Sequence, residues 1–151
     1  MILETVLAYV HLLAILTWVV FLASTAALAR TEWLNAAVVD RLVVVDRIAN
    51  VAALLVLASG LARWLWGIKG VAWMGGQPLF WGKVALFALM GLAAWRTQRT
   101  LRAWQRALHS TGGLPAADEV AVLRRRVMRA SHLMLLVPLL AVMLARGIGT
   151  V

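Results

Sequence analysis

Two residues in this sequence carry chemistry that their apolar surroundings do not explain. His11 lies about eight residues into an apolar run, roughly 12 Å deep at 1.5 Å of helical rise per residue. Lys83 sits inside "PLFWGKVALFALMG", one turn past the start of another such run. An imidazole at that depth is either hydrogen-bonded to a neighbouring helix or an axial ligand to heme or another metal. An ammonium there either snorkels to the headgroups or faces inward, against a porphyrin propionate, a substrate carboxylate or Glu4.

Other polar residues fall near the same levels. Glu4, His11 and Trp18 are spaced by seven and share one helix face. Arg63, Lys69 and Arg146 lie near the depth of Lys83, so several cations and one histidine gather at one end of the chain's apolar segments. Such a collection suits an anionic ligand. Trp64, Trp66, Trp73 and Trp81 at that end read as an interfacial aromatic belt. Met74 and Met90 are candidates for a second axial ligand beside His11. Asp46, Arg47 and Asn50 read as a structural ion-pair and hydrogen-bond cluster. His132 lies at the opposite boundary, roughly 20 Å or more from the level of His11 at helical rise, which argues against one heme held by both.

The elements that hold these residues follow from composition. The chain of 151 residues is 64% hydrophobic and 14% charged, with a mean hydropathy of +0.89. That is too apolar for a soluble domain. Long apolar stretches at about 3–29, 41–66, 79–95 and 133–145 predict helices, because lipid requires every backbone group to be satisfied internally. The expected fold is all-α: an integral membrane four-helix bundle forming one domain over 1–151, with helices at about 3–29, 33–66, 79–109 and 116–147. Thr31 is the expected cap of the second helix. Pro78 opens the third, "STGGLP" ends it, and Pro138 should kink the fourth. Small residues at Ser59/Gly60 and Ala141/Ala145 suggest close contact between the second and fourth helices. "STAALAR" resembles a signal-peptidase site, but "MILE" lacks a positive n-region, so the first run is expected to be an uncleaved helix.

The net charge of +9 is not a nucleic-acid signal, because its distribution has another reading. Eight arginines fall in 96–129, and Arg30, Arg41 and Arg47 add to the same side. The positive-inside rule then puts both termini outside and a basic extension of helices 3 and 4 in the cytoplasm, N-out/C-out in a bacterial inner (plasma) membrane. Anionic lipid headgroups are the expected partners of that extension. There is no cysteine, which removes disulfides and thiolate ligands.

"VDRIANVAALLVLASGLARWLWGIKGVAWMGGQPLFWGKVALFALMGL" with "LLVPLLAVMLARGIG" resembles domain-of-unknown-function family 2214, bacterial four-helix membrane proteins whose name implies no activity. "HLLAILTWVVFLASTAALAR" and "FWGKVALF" are similar to the first and third helices of HemJ-type membrane protoporphyrinogen oxidases. That resemblance implies heme b, with His11 as the iron ligand and Lys83 as its functional partner. Trp18, Arg63 and Arg146 complete the expected cofactor-binding set. The fourth helix carries "SHLMLLVP" where those oxidases carry an Asn-Glu motif. Two functions follow as expectations. One is a heme-binding redox protein, an oxidoreductase if it acts on a porphyrin. The other is a non-enzymatic scaffold or small carrier without a cofactor. Membrane lipids, a porphyrin and a second copy of the chain are the candidate partners.

Overall fold

The computed structural model describes residues 2–68 and 70–148; Lys69 lies outside the described residues. Among the described residues six α-helices follow one another: α1 (Ile2–Leu28), α2 (Ala36–Trp66), α3 (Val71–Gly75), α4 (Pro78–Thr111), α5 (Ala117–Met134) and α6 (Leu136–Ala145). Four segments are long and apolar enough to cross a membrane: α1, α2, α4, and α5 with α6 taken together. Their exteriors are apolar. Val6, Leu13, Leu16 and Val20 of α1 and Leu54, Leu55, Leu57 and Leu61 of α2 face outward, the pattern of a bundle solvated by lipid.

Local chemistry sets the helix ends. A 3₁₀ turn, Thr31–Trp33, precedes α2. The cap is Asn35, whose side chain accepts from the Val38 N–H at 3.0 Å, and not Thr31 as the sequence suggests. Asn35 is extended, the conformation a cap requires, whereas Thr31 is already inside the turn. Pro78 opens α4, where its missing N–H costs nothing. Gly112, at φ 71°, ends α4 in the left-handed region and donates to Leu108 O at 2.9 Å. The Glu119 carboxylate reaches back to the Ala116 N–H at 3.2 Å and closes the start of α5. The fourth span breaks at Leu135, three residues before Pro138. Proline has no N–H for the Met134 carbonyl, so the continuous helix stops there.

The most extensive contact is α1 on α2. At the arginine-rich end α5 closes the bundle by packing on both α1 and α4. At the end carrying the termini α6 packs on α4 and makes at most a marginal touch with α1 or α2. Gly60 and Ala141 therefore do not form a close helix crossing; the expected contact between helices 2 and 4 is replaced by a gap. The core between is continuous, with Leu42, Leu101 and Leu123 fully buried and Trp18 edge-on to Phe87 at 5.5 Å. At 34 residues α4 spans about 51 Å, longer than the roughly 30 Å hydrocarbon layer, so its arginine-rich half projects beyond it.

Candidate functional site

The gap at the terminal end is a cleft of about 500 Å³. Helical periodicity explains which side chains it receives. Glu4 and His11 of α1 are two turns apart on one face. Val56, Gly60 and Arg63 of α2 follow at intervals of four and three. Phe80, Lys83 and Phe87 of α4 do the same at three and four. Val137, Ala141 and Leu144 of α6 form the facing wall, and Met74 of α3 lies at the rim. The volume is in the range of small-molecule and cofactor sites, and the lining combines apolar walls with a few convergent polar groups.

His11 is held by α2. Its Nδ1 is 2.8 Å from Ser59 Oγ. The single Ser59 hydroxyl proton is donated to the Leu55 carbonyl within its own helix, so Ser59 accepts from the imidazole. Nδ1 therefore carries the ring proton, and Nε2 keeps its lone pair. Gly60 makes the approach feasible: a Cβ there would lie 3.3 Å from His11 Cε1, tighter than ordinary contact.

The charges are unequal. Arg63 Nη2 reaches Glu4 Oε1 at 3.4 Å across the α1–α2 contact. Glu4 thus pairs with Arg63 and not with Lys83. Lys83 has no hydrogen-bond or carboxylate partner among the described residues, and it lines the cleft together with Arg63 and His11. Glu4 Oε2 and Arg63 Nε are buried without partners among the described residues. The cleft holds two cations against one carboxylate.

The other expected site residues separate from this group. Trp18 is 2% exposed and lies in the core, one heptad deeper than His11; it lines a different cavity. Met90 lies there too, which leaves Met74 as the methionine at the cleft. Arg146 follows α6, is exposed, and is not part of the cleft lining, although Ala145 beside it is. Asp46 pairs with Asn50 at 2.9 Å and not with Arg47, which is exposed; adjacent helical residues point about 100° apart. The tryptophans form more than a belt. Trp64 packs on Phe80 at 5.1 Å, and Trp81 donates to Gly75 O at 2.8 Å, pinning α3 over the cleft. One cluster has no counterpart in the sequence reading: Asp40 accepts from Gln105 at 2.7 Å and meets His109 at 3.1 Å, tying α2 to α4 at the arginine-rich end. Its signal was available only as polar residues on the projecting halves of two helices.

The profile of a family described as a predicted membrane protein, DUF2214, matches residues 3–149. The chain belongs to the DUF2214 family. No curated protein and no solved structure matches it. Family membership and the four spans together make this DUF2214 chain an integral membrane protein in contact with lipid.

Proposed function

We propose that the cleft binds heme b and that the protein is a heme-dependent redox component of a bacterial inner membrane, with both termini outside. The observation that carries this reading is His11 and Lys83, the latter without a partner among the described residues, opening into one apolar-walled cleft. The donor set fits the group. His11 Nε2 is the candidate iron ligand, and the Ser59 bond to Nδ1 fixes the tautomer and orients the ring, as supporting partners of metal-binding histidines do. Lys83 and Arg63 are cations for propionate carboxylates, and Phe80 and Phe87 offer aromatic walls. Bound heme supplies one-electron chemistry. The chain's own contribution is to hold the ligand, keep water out with Trp64, Phe80 and Leu144, and balance carboxylate charge. A porphyrin substrate would use the same cations.

The Glu4–Arg63 pair favours a second reading, a cofactor-free carrier or scaffold, because it satisfies one cation internally. A visible absorption spectrum of the purified protein separates the two. A Soret band that survives washing and disappears in His11→Ala supports heme. Protein absorption alone, with no uptake of added hemin, rejects it in favour of the carrier.

A further inference from the structure

One heptad below His11, about 10 Å along α1 at helical rise, the bundle encloses a second cavity. It measures about 10 Å³ and lies among Trp18 of α1, Asp46 and Asn50 of α2, and Thr97 of α4, with Val127 and Ala130 of α5 closing it. Three of its polar side chains are shut off from the surface: Trp18 is 2% exposed, Thr97 3% and Asp46 6%.

Their hydrogen bonding is incomplete in a complementary way. Trp18 Nε1 is a buried donor with no partner among the described residues. The Asn50 amide donates to Asp46 Oδ2 at 2.9 Å and leaves Oδ1 without a partner among the described residues. The Thr97 hydroxyl also makes no hydrogen bond among the described residues, unlike Thr25, which bonds back to Phe21 O at 2.9 Å. A donor, an acceptor and a hydroxyl thus stand open around a single small space. Buried among packed side chains, these groups are cut off from bulk water and need an internal partner.

We infer that this cavity is a binding site for one water molecule, bridging Trp18, Asp46 and Thr97. The space equals about one water-sized probe, the threshold for holding a water. A water accepts from the Trp18 indole, donates to Asp46 Oδ1, and either accepts from or donates to Thr97, so every open group is satisfied by one occupant. Other occupants of that size fail. A sodium ion would face the positive end of the indole N–H, and a chloride ion would face the Asp46–Asn50 pair. The water links α1, α2 and α4 at a level where no direct side-chain hydrogen bond among the described residues joins them, and it hydrates a buried carboxyl. The site is independent of the cleft and of its ligand.

The test uses the full chain in lipid nanodiscs with ¹⁵N-labelled tryptophan indoles. Trp18 is assigned by the signal lost in Trp18→Phe. A Trp18 indole cross-peak to water, with the sign of dipolar contact with a long-lived water and not of hydrogen exchange, is the expected result. Thr97→Val keeps the shape and removes the hydroxyl, so the cross-peak should weaken while the indole signal stays. Thr97→Ser, which restores the hydroxyl, should recover it; this comparison holds even if Asp46 variants fail to fold. A Trp18 indole with no water cross-peak overturns the inference. So does a Trp18 signal that shifts with sodium but not with potassium at equal ionic strength, which would assign the space to an ion.

Discussion

The hydrogen bond from His11 to Ser59 should be measurable as a coupling energy. The relevant perturbations are Ser59→Ala, His11→Ala and the pair. At 2.8 Å the bond is short and crosses between α1 and α2. Net hydrogen bonds contribute about 0.5–1.5 kcal/mol in soluble proteins, and side-chain bonds between membrane helices average about 0.6 kcal/mol. A coupling of about 0.6–1 kcal/mol is therefore expected. The Ser59 bond to Leu55 O lies within α2 and is lost with or without His11, so it cancels in the cycle. His11 lines an open cleft, so its truncation enlarges existing space and creates no new closed cavity. Reversible unfolding in mixed detergent micelles, followed by circular dichroism, gives the four stabilities. A second readout bears on the ligand. Loss of a partner that orients a metal-binding histidine typically costs 10–100-fold in affinity, so Ser59→Ala should weaken hemin binding by roughly 10-fold, about 1.4 kcal/mol. His11→Ala should remove it. A coupling within about 0.2 kcal/mol of zero would refute the bond, and hemin affinity unchanged in Ser59→Ala would refute its orienting role.

Lys83→Met should leave thermal unfolding in detergent near wild type, because Lys83 has no partner to strand among the described residues, yet weaken binding of a carboxylate-bearing ligand; equal affinity in wild type and variant would show that the ammonium serves headgroups instead. For orientation, reporter fusions after Gly113 should behave as cytoplasmic and fusions at the C-terminus as periplasmic, as the arginine distribution requires. The reverse pattern would put the cleft on the cytoplasmic side.

Much of the architecture was legible because the bilayer imposes it. Four apolar runs, Pro78 and the Gly112 break are each tied to a single local cause. The candidate cleft was legible only in that His11 and Lys83, whose placement costs enough to need a reason, both line it. Partner choice was less so. Glu4 suits Arg63 or Lys83 equally in sequence, and only the extensive α1–α2 contact decides for Arg63. Gly60 reads as a helix–helix contact with helix 4, yet the space over it accommodates the His11 ring. Trp18 shares the His11 face, but one further heptad moves it from the cleft into the closed core. Thr31 and Asn35 are both competent caps, and the 3₁₀ turn between the hairpin helices selects the second. These outcomes depend on how helices are rotated and tilted against one another, which a one-dimensional pattern does not encode.

The interruption at Leu135 separates two properties that are usually linked. The ten-residue α6 supplies one wall of the cleft and leans chiefly on α4, while α5 below it locks the bundle through Leu123 and Val127. Were the cleft to take a ligand as proposed, α6 would be the wall with least to hold it, joined to α5 at a break already present in the backbone. The load-carrying half of the same span need not move. Substitutions on α6 would then alter how fast the cleft exchanges its contents with little effect on the melting of the molecule, and the rate of exchange could drift over evolution without endangering the fold.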